Sequence, residues 1–246
     1  MITVDNSTKV HSRSSSPAFG NAMLQAVPTS DVYLMDCIQG MKHYPDKWFD
    51  LAVVDPPYGI NFGTFNRTNK DSNGNRYKAN KYKQGNWDET IPQLEYFTEL
   101  VRVSKNQIVW GGNYFPCLWE LGGKCFIFWY KQNPVPNFSD GEMAWTSFNK
   151  PAVCFDYRYY GGLQGKTSAE SKIHPTQKPV ELYDFCFDFA KVEAGMKVLD
   201  THLGSQSSRI SANKYQLNFV GFETDEEYFN KGNKRYDDFV SQTRLF

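Results

Sequence analysis

Phe49-Asp50-Leu51-Ala52-Val53-Val54-Asp55-Pro56-Pro57-Tyr58 opens as a short apolar run, rich in β-branched residues and stopped by prolines. Such a run reads as a strand buried on both faces of a parallel sheet. The prolines follow a carboxylate and precede an aromatic ring, so this quartet sits at the strand's carboxyl end. That is where open α/β sheets bind ligands. The quartet suits an exocyclic amino group on a flat ring. Asp55 can accept one hydrogen bond from the amine and the Pro56 carbonyl a second. Pro56 and Pro57 fix φ and aim both acceptors one way. Tyr58 offers a face on which a base stacks, worth about 1–3 kcal/mol. An ordinary strand ending in a proline turn would carry the same letters, so the rest of the chain has to discriminate.

The chain of 246 residues is long enough for one large domain with a substantial core. The 27 basic and 27 acidic residues cancel, so net charge does not point to nucleic acid, and DNA binding would need a local basic patch. Cys37, Cys117, Cys125, Cys154 and Cys186 form no C-x-x-C pair and are odd in number. They read as buried, reduced thiols of a cytoplasmic protein, against a disulfide framework or a zinc site. No apolar run is long enough for a membrane span, and the N-terminus lacks the apolar core of a signal peptide.

Residues 1–30 are polar and serine-rich and read as a flexible arm, leaving residues 31–246 as a single domain. Within it we separate a catalytic half, 31–172, from a second half, 173–246. Val32-Tyr33-Leu34-Met35-Asp36 reads as a strand ending in an acid, followed by a brief helix over Cys37 to Tyr44. Asp36 therefore faces the same crevice as Asp55, or caps that helix. Between Asn66 and Gly85 stand Arg67, Lys70, Arg76, Lys78, Lys81 and Lys83 against Asp71 alone. A long basic loop beside a base pocket is placed to hold phosphates, although a solvated loop would look the same. Pro92 to Ser104 has a helical apolar face, and Gln107–Trp110, Lys124–Trp129, Glu142–Phe148 and Ala152–Tyr160 read as strands. Residues 131–140 and 161–172 are loops open to DNA contact.

His174-Pro175-Thr176-Gln177-Lys178-Pro179 opens a helix running to about Ala190, with Pro179 suited to its first position. Gly195 to Ser208 then reads strand, glycine turn, helix N-terminus, a geometry that turns backbone N–H groups and a positive dipole end to a ligand. Phe219-Val220-Gly221-Phe222-Glu223 ends a further strand in an acid, about twenty residues on, a spacing that suits the ribose hydroxyls of a nucleoside. The last helix spans roughly Asp225 to Val240.

Taken in order, Asp-Pro-Pro-Tyr, His-Pro-Thr-Gln-Lys-Pro, Val-Leu-Asp-Thr-His-Leu-Gly-Ser and Gly-Phe-Glu resemble the β group of S-adenosylmethionine-dependent DNA amino-methyltransferases, from about Val32 to the end. Asn106-Gln107-Ile108-Val109-Trp110-Gly111-Gly112-Asn113-Tyr114-Phe115 and Ala144-Trp145-Thr146-Ser147-Phe148 are similar to adenine methyltransferases of phage and bacterial mobile elements. The resemblance implies a Rossmann-like, seven-stranded, mostly parallel sheet with helices on both faces and one antiparallel pair. It implies catalysis by Asp55, Pro56, Pro57 and Tyr58 on the 6-amino group of an adenine flipped out of double-stranded DNA. It implies S-adenosylmethionine held by Asp36, Cys37, Lys178, Asp200, His202, Leu203, Gly204, Ser205 and Glu223, with His202 acting through its backbone and His174 nearby. Asp rather than Ser at position 55 favours adenine over cytosine. Methylation of the cytosine amino group or of RNA stays open, as does a DNA-binding pseudoenzyme, because Gln206 stands where the family commonly has a second glycine. A homodimer is compatible with the pattern. The terminal Gln242-Thr243-Arg244-Leu245-Phe246 resembles peptides that dock on the replication sliding clamp, against the alternative that Leu245 and Phe246 fold back on the sheet.

Overall fold

The computed structural model describes residues 27–61, 88–132, 139–159 and 172–243. The basic loop 66–85, most of the loops 131–140 and 161–172, nearly all of the N-terminal arm, and Arg244, Leu245 and Phe246 lie outside them. Along the chain come β1 (Ser30–Leu34), α1 (Cys37–Met41), β2 (Phe49–Val54), α2 (Leu94–Val103), β3 (Ser104–Trp110), a 3-10 turn (Gly112–Tyr114) and α3 (Pro116–Glu120). There follow β4 (Phe126–Tyr130), β5 (Gly141–Thr146), β6 (Val153–Asp156), α4 (Val180–Ala190), β7 (Lys197–Asp200), α5 (Ser207–Lys214), β8 (Asn218–Glu223) and α6 (Glu226–Thr243).

The strands form one sheet in the order β1-β8-β7-β2-β3-β5-β4-β6. Its centre is β2, in which five of six residues are buried, as a strand covered on both faces requires. Period-two alternation divides β2 between two cores. Leu51 and Val53 pack with Leu182, Phe187, Ala212 and Phe219 on the side of α4 and α5. Ala52 and Val54 pack with Met41, Tyr96, Leu100 and Val103 on the side of α1 and α2. The result is a three-layer α/β arrangement with helices on both faces.

Eight strands stand where seven were expected, because β6 adds a parallel edge beside β4. Only β5 runs antiparallel, yet it pairs with both β3 and β4, so there are two antiparallel pairings and not one. Pro179 caps α4 from an extended conformation (φ −68°, ψ 154°) and is not its first residue. The expectation of buried thiols holds for Cys37, Cys125 and Cys186, whereas Cys117 is half-buried and Cys154, on the edge strand, is exposed. Among the described residues no helix is long and apolar enough to cross a membrane.

Chain direction fixes the site. From β2 the chain passes through α2 to β3 on one side, and from β7 through α5 to β8 on the other. β2 and β7 are adjacent and parallel, so a crevice opens between their carboxyl ends, the topological switch point of such sheets.

Candidate active site

Four neighbouring parallel strands, β1, β8, β7 and β2, each deliver an acid at or just past the carboxyl end: Asp36, Glu223, Asp200 and Asp55 in that order across the sheet. Sequence reading identified all four, and topology sets them in a row.

Asp55 has both oxygens engaged. Oδ1 accepts from the Tyr58 hydroxyl at 2.5 Å, and Oδ2 pairs with Lys178 Nζ at 2.6 Å. The same ammonium donates to the Tyr58 hydroxyl at 3.1 Å and faces Glu142 Oε2 at 3.0 Å. Glu142 is completed by Lys131, which bonds its other oxygen. Burial raises the Asp55 carboxyl above the ordinary range, opposed by Lys178 and supported by Glu142. Burial also acts to raise Glu142, but Lys178 and Lys131 outweigh it and hold that carboxyl at about 2. Lys178 remains an ammonium: burial would lower it, and Asp55 and Glu142 raise it.

Tyr58 is held at both ends. Its N–H and that of Gly59 donate to Asp88 Oδ1 at 2.7 and 3.0 Å. Its ring stacks on Tyr114 at 5.1 Å and meets Phe115 edge-on at 6.3 Å. Gly111 backs it: at φ 71° a β-carbon there would come within 2.1 Å of the Tyr58 ring. The face expected to receive a base is thus taken by Tyr114, itself 39% exposed, so the outer aromatic surface belongs to Tyr114. Neither Tyr114, Asp88 nor Glu142 was singled out from sequence. Glu142 lies in an aromatic strand whose direction alone brings it to Lys178. Asp88 follows a long insertion that hides its proximity to Tyr58.

Around the second half of the crevice the acids hold backbone. Asp36 caps α1, accepting from Gln39 N at 2.9 Å, so the capping alternative is realised. Cys37, the first helical residue, is buried, and its thiol is pushed up to about 12 by burial and by Asp36. Asp200 accepts from His202 N at 3.0 Å and from Ser208 Oγ at 2.5 Å. Burial lifts it to about 7. Glu223 accepts from Gly204 N at 2.8 Å and from Thr224 N and Asp225 N at 2.9 Å each. Leu203 N donates to the Phe222 carbonyl at 3.0 Å. The amides of His202, Leu203 and Gly204, expected to meet a ligand, are therefore spent on shaping the turn.

Ser205 bonds the Ser207 hydroxyl at 3.1 Å, and Ser207 Oγ in turn donates to the Lys178 carbonyl at 2.7 Å. Lys178 thus sends its carbonyl to the turn through Ser207 and its ammonium to Asp55 and the Tyr58 hydroxyl. His202 and His174 are both neutral, held down at about 4 by burial. Thr201 Oγ1 links Tyr96 and His202, at 2.7 and 2.9 Å. His174 packs edge-on against Tyr228 at 4.3 Å and lies 3.7 Å from where a β-carbon on Gly204 would stand.

Gln206 precedes α5 in the left-handed conformation (φ 60°) that a glycine would take without strain. It is fully buried and points away from the crevice. Its amide donates to Asn233 Oδ1 at 3.0 Å and accepts from Arg209 at 2.9 Å. Gly232 on α6 makes the room, since a β-carbon there would meet Gln206 at 2.6 Å.

The donor set discriminates among nucleotides. Asp36, Asp200 and Glu223 present acceptors and negative charge, no lysine or arginine stands in the turn 201–208 itself, and the Arg235 guanidinium that reaches it from α6 is engaged by the Ser205 carbonyl and the Ser207 hydroxyl at 2.6 and 3.0 Å. A pyrophosphate would meet like charge there, whereas a nucleoside carrying hydroxyls, amines and a positive centre would find acceptors. S-adenosylmethionine has that chemistry.

The fold is that of the class I α/β methyltransferases, with a carboxylate-rich crevice beside the Asp-Pro-Pro-Tyr turn. Residues 154–234 match the family model of the N6/N4 type described as DNA methylase. The chain is 26% identical over 246 residues to the type II methyltransferase M.HinfI of Haemophilus influenzae, covering 81% of this chain and 66% of that one. It is 24% identical over 228 residues to the type II methyltransferase M2.DpnII of Streptococcus pneumoniae, covering 76% and 82%. Among solved structures it is similar to M1.HpyAVI bound to SAM, with TM-score 0.55 and 23% identity over 84% of this chain and all of that one. It also resembles the PvuII DNA methyltransferase, which is cytosine-N4-specific, with TM-score 0.55 and 12% identity over 87% and 93% of the two chains. The matched family is one of DNA methylases, and both of these curated relatives are type II methyltransferases.

Proposed function

We propose that the protein methylates the 6-amino group of adenine at a specific site in double-stranded DNA. The observation that carries this reading is the row of acids across β1, β8, β7 and β2, with Asp55 held between Tyr58 and Lys178 at its catalytic end. When bound, S-adenosylmethionine supplies a methyl group on a positively charged sulfur. Asp36, Asp200 and Glu223 would hold its amines and hydroxyls, with Ser205 and the Leu203–Gly204 turn beside them. Asp55 and the Pro56 carbonyl would orient the target amine, and the prolines keep both acceptors fixed. The Tyr58–Tyr114 stack supplies aromatic surface for a base taken out of the duplex.

Asp at position 55, where cytosine enzymes of the resembling group usually carry Ser, favours adenine. The placement of Gln206 against α6 supports a working enzyme over a pseudoenzyme, because its side chain leaves the turn free. The substrate places the enzyme in the cytoplasm of a bacterial or phage-infected cell. Docking of Gln242, Leu245 and Phe246 on the sliding clamp stands against the alternative that Leu245 and Phe246 fold back on the sheet; clamp capture by the intact chain that is lost in Leu245→Ala/Phe246→Ala would favour docking.

Methylation-sensitive sequencing of DNA from a host expressing the chain tests base and site together. The expected result is N6-methyladenine in one short motif, absent with Asp55→Ala, while calorimetry shows S-adenosylmethionine binding retained by that variant. Loss of a positioning acceptor costs on the order of 10² or more in rate. Methylcytosine, or methylation undiminished in Asp55→Ala, would overturn the assignment.

A further inference from the structure

Lys178 is the only cation within reach of Asp55 among the described residues, and it is shared. Its side chain is 4% exposed and its ammonium lies 2.6 Å from Asp55 and 3.0 Å from Glu142. Glu142 reaches this point because β5 runs antiparallel between β3 and β4 and so presents its second residue at the carboxyl ends of those two strands. Its Oε2 is buried with no hydrogen bond of good geometry, only the facing ammonium. Its Oε1 is bonded by Lys131, which follows β4. The cluster therefore alternates in sign, from Asp55 through Lys178 and Glu142 to Lys131.

We propose that Glu142 is a positioning residue for Asp55, acting through Lys178, and that it keeps the Lys178 ammonium paired whenever Asp55 is occupied by the target amine or by its proton. The proposal rests on the methyl-transfer reading. Asp55 has no free oxygen in this structure: Tyr58 and Lys178 hold both. An arriving amine hydrogen competes with Lys178 for the charge of the same carboxylate, and Glu142 is the group onto which Lys178 can shift its weight.

The same device serves the proton. An N–H bond of the amine breaks with its electron pair left on nitrogen, an O–H bond forms on Asp55, and the proton passes to water when product departs. Asp55 is then neutral. Without Glu142 the buried ammonium would stand unpaired, which an apolar interior strongly disfavours.

The groups facing Asp55 from each packed element are Tyr58 beyond β2, Tyr96 on α2, Lys178 before α4, Tyr183 on α4, Glu142 on β5 and Asp200 at the end of β7. Of these, Glu142 raises Asp55 and Lys178 lowers it. Removing the Glu142 charge leaves Lys178 acting on Asp55 alone, so Asp55 becomes a weaker base. Removing Lys131 does the opposite.

The test is steady-state methylation of a duplex carrying the motif, across pH, by the intact chain and three variants. Glu142→Gln is expected to lower kcat by about tenfold or more, with KM for DNA and the Kd for S-adenosylmethionine held within about twofold. Its acid limb should move to lower pH by about one unit. Lys131→Gln is expected to move that limb to higher pH, and Glu142→Asp to recover part of kcat. Acid limbs unmoved in both charge variants, or a uniform loss shared between kcat and cofactor binding, would overturn the role given to Glu142. If Glu142→Gln does not fold, the direction of the Lys131→Gln shift decides alone. An intact chain that methylates nothing would instead overturn the methyl-transfer reading, which the same wild-type arm reports separately.

Discussion

Asp200 gathers several opposing electrostatic influences in one carboxyl. Buried beneath the turn, it is raised to about 7, even with Ser208 and the His202 amide favouring its charge. The folded chain thus holds a proton there that the unfolded chain releases near the ordinary carboxylate range. This group's contribution to stability is present at acid pH and is lost as pH rises from about 4 to about 7. A cationic ligand reverses the preference, since it favours ionised Asp200. The affinity for S-adenosylmethionine should therefore weaken as pH falls below about 7, by up to about tenfold per unit. Calorimetry at pH 5.5 and 7.5 would show this, and Asp200→Asn should flatten it. A pH-independent affinity in the wild type would remove Asp200 from the binding site. Gln206 makes the contrasting case of a side chain whose work is local. Replacing it with glycine relieves the left-handed backbone but leaves Arg209 and Asn233 short of a buried partner. Unmet buried groups cost about 1–3 kcal/mol, more than the strain of one such residue returns. Gln206→Gly should lower the melting temperature by about 2–4 °C and leave cofactor affinity unchanged. A more stable variant would refute the anchoring on α6.

The Asp-Pro-Pro-Tyr turn is shaped from outside itself. Asp88 ties down the amides of Tyr58 and Gly59, and the turn after β3 brings Gly111 against the ring of Tyr58. Gly111→Ala should displace the ring: its β-carbon has a position 2.1 Å from a Tyr58 carbon, at φ 71°. Gly122 separates clash from strain, for it has φ 87° and nothing within 4 Å of an added β-carbon. Both variants carry the backbone cost of about 1 kcal/mol, but only Gly111→Ala should lose activity, by about 10²-fold. Equal activities would show that Tyr58 does not need its place against Gly111. Asp88→Ala should raise KM for DNA and loosen the turn, seen as faster amide exchange at Tyr58 and Gly59.

For the molecule as a whole, zero net charge means that attraction to DNA must be local. The segment 66–85 carries six cations against one acid in the sequence, beginning eight residues after Tyr58. If these charges meet phosphates, neutralising Lys78, Lys81 and Lys83 should flatten the log–log salt dependence of binding by up to about 0.9 per lost contact. An unchanged slope, measured by fluorescence anisotropy, would return the segment to a solvated role.

The central strand was legible because burial on both faces writes a continuous apolar run, and Phe49 to Val54 is one. The acids at the ends of β1, β2, β7 and β8 were legible because each follows such a run directly. Gln206 was conspicuous by its type, but only its neighbours on α6 explain how a glutamine keeps a left-handed backbone. Tertiary structure alone decided that Glu142 meets Lys178, 36 residues later in the chain. It also decided that Tyr114 covers Tyr58, that Asp88 returns to the Asp-Pro-Pro-Tyr turn, and that the amides of the 202–204 turn are bonded internally. Local sequence records periodicity and burial, which are properties of single elements. Which carboxylate finds which ammonium depends on strand order and direction, and the eighth strand and the doubly paired β5 were set by packing between distant segments that no local pattern encodes.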